Sequence, residues 1–225
     1  MSSIFGSITV ETPKYSVVKA LAGASGAELR KYCPQVRAEV LYDIAPNHGI
    51  MDGLNAPFRA LAGRVCKRAV PCLLQSAQVA MTAPVVMQTG ATEGPSEKIA
   101  MTAPVVMQTG TTEAAGASEG PAGGNKRVMS FIMPSQYKSV VDLPAPKDPR
   151  VRLFEVPERT FAAIRFHGRM TQAVAKVKEQ ELRAAAAKAD VKLSDEPHAV
   201  QYCAYNPPWC LPWFATNDIL IPVAE

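Results

Sequence analysis

Residues 80–90 read AMTAPVVMQTG, and residues 100–110 repeat the same eleven positions at a period of 20. In an extended chain successive side chains alternate between faces. Met81, Ala83, Val85 and Met87 then form a wholly apolar face, and Ala80, Thr82, Pro84, Val86 and Gln88 a mixed one. Each copy therefore reads as a half-buried strand. Pro84 and Pro104 lack an N–H, which suits an edge or a bulge better than the middle of a sheet. Two readings stand side by side: a hairpin turning through Gly90, Gly94 and Pro95, or a tandem duplication in which one copy is enough.

A chain of 225 residues with 48% hydrophobic residues is long enough for one sizeable core, and its 19 prolines favour short strands and turns over long helices. Lys and Arg exceed Asp and Glu by 24 − 20 = 4, with no basic block, so no nucleic-acid footprint is expected. No apolar run reaches the length of a membrane span, and the first residues, MSSIFGSITVETP, do not read as a secretory signal. Five irregularly spaced cysteines (Cys33, Cys66, Cys72, Cys203 and Cys210) fit reduced thiols in a cytoplasmic setting better than a disulfide framework or a structural zinc site.

Along the chain, residues 15–21, 28–32 and 35–42 read as three strands in a meander. The third alternates most clearly, with Val36, Ala38, Val40 and Tyr42 opposite Arg37 and Glu39. A helix capped by Asn55 follows, with Phe58, Leu61, Ala62, Val65 and Ala69 on one stripe, and Pro71 ends it. Residues 109–125, without a large apolar side chain, read as a flexible insertion. Strands are expected at 127–134, 151–156 and 160–166. A second helix over 171–189, with Thr171 as its cap, carries Val174, Val177, Leu182, Ala185 and Ala189 on its packing side, and closing strands are expected at 200–205 and 218–223. Between those two lies a Pro-stiffened stretch bearing Trp209, Trp213 and Phe214. The repeated rhythm of strands around a helix predicts an α+β domain with an antiparallel, barrel-like sheet and two outer helices.

Several stretches, in order over nearly the whole chain, resemble the SOUL/heme-binding protein family. They are Phe5-Gly-Ser-Ile-Thr-Val-Glu-Thr-Pro, Glu28-Leu-Arg-Lys-Tyr, Ala60-Leu-Ala-Gly, Glu97-Lys-Ile-Ala-Met-Thr-Ala-Pro-Val, Met129-Ser-Phe-Ile-Met-Pro, Asp148-Pro-Arg-Val, Tyr205-Asn-Pro-Pro-Trp and residues 219–223. The repeated segment is similar to plant and green-algal members. The resemblance implies a single domain over 1–225, folded as a distorted antiparallel eight-stranded β-barrel with two flanking helices and an internal βαββ duplication. It also assigns the second copy of the repeat to the strand after the first helix.

The same resemblance implies reversible binding of haem or another tetrapyrrole. The ligand would lie between the apolar side of the first helix (Phe58, Leu61, Ala62, Val65) and the aromatic stretch (Trp209, Trp213, Phe214). A porphyrin is a flat apolar plate with two carboxylates on one edge. Arg59 and Arg64, with Lys67 and Arg68, would form the basic rim, because guanidinium and carboxylate match in a bidentate fork. For an axial ligand, His48, just before the first helix, is the candidate ahead of His167 and His198. Cys33-Pro34 resembles a thiolate-ligation pair, but the family usually carries Pro where Cys33 stands. A slot with no fixed ligand is the default expectation.

The function expected from these residues is a non-enzymatic tetrapyrrole carrier or buffer in the cytoplasm, with haem or porphyrin as partner and neither nucleic acid nor a transmembrane segment. Two alternatives stand beside it. One is an enzyme acting on tetrapyrroles or small esters, against which no G-x-S-x-G or H-E-x-x-H motif is found. The other is a scaffold or signalling protein associated peripherally with membranes or lipid bodies, in a plastid or eyespot.

Overall fold

The computed structural model describes residues 6–44, 49–62, 99, 102–109, 126–146, 148–207 and 210–224. Among them, β1 (Tyr15–Ala20), β2 (Ala27–Tyr32), β3 (Gln35–Asp43), β4 (Val105–Thr109), β5 (Lys126–Ile132), β6 (Val151–Val156), β7 (Arg159–His167), β8 (Gln201–Ala204) and β9 (Thr216–Pro222) form one antiparallel sheet. The spatial order is β1-β2-β7-β9-β8-β4-β5-β3-β6. Helices α1 (Asn55–Ala62) and α2 (Gln172–Lys188) complete the architecture. The units β2-β3-α1-β4-β5 and β6-β7-α2-β8-β9 are equivalent, since exchanging them reverses the sheet order onto itself. The duplication expected from the sequence is thus present, with two strands on either side of each helix. The ninth strand, β1, is an addition at one edge.

Two short links force the sheet to curl. Cys33 and Pro34 alone join β2 to β3, which lie six strand positions apart in the sheet. A flat sheet would separate them by about 29 Å at ~4.8 Å per strand, whereas the link spans at most about 11 Å. Pro157 and Glu158 impose the same condition on β6 and β7. The result is a half-barrel whose flanks approach each other across a lumen. The expected meander is corrected at this point: β2 pairs with β1 and β7, and β3 with β5 and β6. A two-residue hairpin needs positive φ at both turn residues or at the first of them; Pro34 cannot adopt it and Cys33 is not the glycine that favours it, so the chain crosses instead of folding back.

Both sheet faces are buried. The outer face packs under the helices. Under α1, Val36, Ala38, Val40, Met129 and Phe131 meet Leu61. Under α2, Ala162, Ile164, Ile219 and Ile221 meet Ala175, Leu182, Ala185 and Ala186. Val174 and Val177, expected on the packing side, are exposed, because the flat alanine stripe faces the sheet and rotates them outward. Thr171 caps α2 as expected, accepting from the Val174 N–H at 3.2 Å. The second copy of the repeat supplies β4, which is central and buried on both faces, not half-buried. Pro104 directly precedes the strand, so it removes no ladder bond and a central position is tolerated. The first copy, the end of the first helix and residues 110–125 lie outside the described residues.

Candidate functional site

Helix α1 is seated by Leu61, 3% exposed, and by buried Pro57. Phe58 is half-buried and meets Phe131 edge-on, with ring centroids 5.4 Å apart. Arg59 and Ala62 face outward. The Phe58 N–H bonds the Leu54 carbonyl at 2.9 Å, and Arg127 Nη1 donates to the Gly49 carbonyl at 2.7 Å, which fixes the turn leading into the helix. Of the residues expected to form the slot, the structure therefore gives Leu61 to the core and leaves Phe58, Arg59 and Ala62 on the outer side.

The aromatic stretch forms a short 3-10 turn, Pro212–Phe214, in which Trp213 and Phe214 are 64% and 41% exposed with ring centroids 6.5 Å apart. Asn206 holds it: its Oδ1 accepts from the Thr216 N–H at 2.7 Å and its Nδ2 donates to the Gly6 carbonyl at 3.0 Å. Gly6, at φ +79°, lies so close that an added Cβ would run into the Phe214 carbonyl oxygen. Strand register relates this turn to α1. Ala204 pairs with Val105, and Val105 with Phe131, on the outer face. The end of β8 thus lies two strands, about 10 Å, from the ring that carries Phe58. Ala204, Val105 and Phe58 are all partly exposed, giving an apolar row between the helix and the root of the aromatic turn.

Arg64, Val65, Trp209 and His48 lie outside the described residues. His167 is exposed, with Nδ1 3.4 Å from Thr216 Oγ1, and His198 lies 3.0 Å from the Glu196 carboxylate. Cys33 is exposed, while Cys203 and Cys210 are buried. Among the described residues no three His, Cys, Asp or Glu side chains group as metal ligands, and no helix is long and apolar enough to cross a membrane.

The lumen holds what sequence reasoning missed. Asp218, fully buried, accepts from Arg30 Nη1 at 2.6 Å, from Arg165 Nε and Nη2 at 2.8 Å each, and from the Tyr205 hydroxyl at 2.7 Å. Arg30 also donates to Glu28 at 2.6 Å. Burial works to raise the Asp218 carboxyl, but the Arg165 hydrogen bonds and the Arg30 and Arg165 charges outweigh it and hold it below the usual carboxylate range. Burial, with Asp218 beside them, drives the Tyr205 phenol and the Cys203 thiol upward. Arg37 and Glu39, which a half-buried strand would turn to solvent, are 2% and 1% exposed on the same lumenal face. The signal was the charged pair at i and i+2 in an otherwise apolar strand, and what hid it was the curl, which buries the second face.

A family model described as SOUL heme-binding protein matches residues 10–96 and 89–222. The chain belongs to the SOUL heme-binding protein family. Each matched segment contains one whole copy of the AMTAPVVMQTG repeat, 80–90 in the first and 100–110 in the second. No curated protein matches it. Among solved structures, it is similar to a hydrolase from Listeria innocua at 10% identity, covering 90% of this chain and 94% of that one with a TM-score of 0.50, a likeness of fold alone. The EcmrR C-terminal domain (10% identity, 88% and 97% covered, TM-score 0.48) and SAV2435 bound to tetraphenylphosphonium (8% identity, 88% and 94% covered, TM-score 0.43) are more distant in shape. Haem, a tetrapyrrole, is the ligand class that the SOUL family description names.

Proposed function

We propose that this protein is a reversible tetrapyrrole carrier that takes haem on the outer face of the half-barrel, between α1 and the Pro212–Phe214 turn. The observation that carries this reading is the partly exposed apolar row of Phe58, Val105 and Ala204, with exposed Ala62 on the same helix as Phe58 and exposed Trp213 and Phe214 in the stretch between β8 and β9. The residues fit a flat apolar ring. Phe58 is braced from below by Phe131 and presents its free edge, and Leu61 holds the helix at a fixed height over the sheet. Arg59, exposed on the same helix, provides a guanidinium for a ring carboxylate. An outer-face site open to solvent suits exchange better than permanent retention, and no step of bond chemistry is assigned to it.

Haem transfer tests the carrier role. The haem-loaded protein is mixed with excess apomyoglobin and the Soret band followed. A carrier hands over its haem completely as the acceptor is raised, whereas a prosthetic group held for chemistry stays with the protein. Phe58→Ser is expected to weaken haem binding roughly 10- to 100-fold, the value of burying one aromatic side chain.

A further inference from the structure

Strand β4 fills a slot between β5 and β8, in the middle of the sheet. Val105, Val106 and Met107 pair on both sides, and Val106 and Met107 are 1% and 2% exposed. Thr102 Oγ1 donates to the Ile132 carbonyl, the Ala103 N–H to the Glu11 carbonyl at 2.9 Å, and Thr109 Oγ1 to the Pro197 carbonyl at 3.3 Å. All of these contacts come from residues 102–109, and residues 82–89 carry the same side chains in the same order. The slot cannot tell the two copies apart by them. Ile99, partly buried against the cluster under α1, lies outside the identical stretch, and its counterpart is Val79.

Chain length does not decide between the copies either. With the second copy in the slot, residues 63–101 connect α1 to Thr102, and residues 110–125 lead on to β5. With the first copy there, the connections would be residues 63–81 and 90–125. Closure cost grows only with the logarithm of loop length, so the shorter first connection and the longer second one offset each other to within about 1.2-fold. The family pattern fits both: its match to 10–96 runs through α1 into the first copy, and its match to 89–222 runs from the second copy into β5.

We propose that the β4 slot accepts either copy of the repeat from the same chain, giving two arrangements with the same sheet and a different segment at its centre. Ile99 has one methylene more than Val79, worth about fourfold when fully buried and roughly twofold when half-buried. The second copy is favoured by that factor, and the first holds the slot in roughly a fifth to a third of molecules. Leaving the slot breaks the ladders to both neighbours, so the arrangements exchange no faster than the sheet opens. Val85 takes the place of Val105 in the apolar row, which leaves the outer face unchanged.

The test places a proline in each copy, since Pro lacks the N–H that a central strand needs. Circular dichroism and urea denaturation report folding. Val106→Pro should remain a folded monomer, its folding constant lowered roughly three- to fivefold, because the first copy fills the slot. Val86→Pro should lower it less than about twofold, and the double variant should not fold. Adding Met87→Leu to Val106→Pro, in protein labelled at the methionine methyls, should remove the resonance that Met107 gives in the parent. The proposal is overturned if Val106→Pro is as unfolded as the double variant, or if the double variant folds. It is also overturned if that resonance survives Met87→Leu, or if Val106→Pro folds only as a dimer by light scattering, since the strand would then come from another chain. None of these readouts involves haem, so their outcome is independent of the carrier reading.

Discussion

Asp218 is the side chain on which the lumen depends most. Two guanidiniums and one phenol converge on it, so Asp218→Asn leaves Arg30 and Arg165 without their shared carboxylate. A loss of about 3–5 kcal/mol, the cost of breaking a buried ion pair by removing one partner, is expected in urea denaturation. The same group sets an acid limit. Its folded-state acidity lies below the unfolded value of about 3.9, so its contribution is fully present above that pH and is lost as pH falls through the lower, folded value. Stability of the parent protein should therefore drop steeply below about pH 4, and Asp218→Asn should flatten that slope. Cysteine chemistry reads the same burial. With peptide-resolved alkylation of the native protein, exposed Cys33 should be labelled and Cys203, at 0% exposure in the lumen, spared. Labelling of Cys203 at the rate of Cys33 would mean that the lumen is open.

At the scale of elements, much of the fold was legible in the sequence. Period-two alternation located the strands, and the Thr171 cap and the alanine-rich run located α2. Both signals are local, set by a few neighbouring residues. Pairing was not legible. The meander expected from 15–42 failed because partner choice depends on what a two-residue link containing Pro34 can do, and β7 and β6, which β2 and β3 meet instead, lie over a hundred residues away. Burial on β3 was not legible for a related reason: alternation separates two faces but does not say that a curled sheet buries both. Of the proposed slot, the apolar side of the helix was legible as a stripe that includes Phe58 and Leu61, but which of the two reaches solvent depends on the helix's seating over Phe131. Thr171→Ala should cost about 1 kcal/mol, measurable as a shift in the denaturation midpoint without loss of haem. Since β4 comes from the second copy of the repeat, deleting residues 80–96 should leave a folded, haem-binding protein. Loss of the native circular dichroism spectrum on that deletion would make the first copy part of the fold.

For the whole molecule, the two-fold arrangement of helix-backed halves creates two different environments from one sheet. The outer face is apolar and partly open beside α1, and the lumen is charged and closed. The family to which the chain belongs and the apolar row on the outer face point to the same ligand class, a flat tetrapyrrole. The charged cluster ties three neighbouring strands together on the lumenal face, through Arg30 on β2, Arg165 on β7 and Asp218 on β9. Haem binding outside should therefore be separable from the integrity of the lumen. A hemin titration of the purified protein, read at the Soret band for the parent and for Phe58→Ser, tests this most directly. Saturable one-to-one binding with a shifted Soret band, weakened in the variant while its denaturation midpoint shows it still folded, is the expected result. A Soret band that never saturates, or a variant that binds as tightly as the parent, would contradict haem carriage on the α1 face.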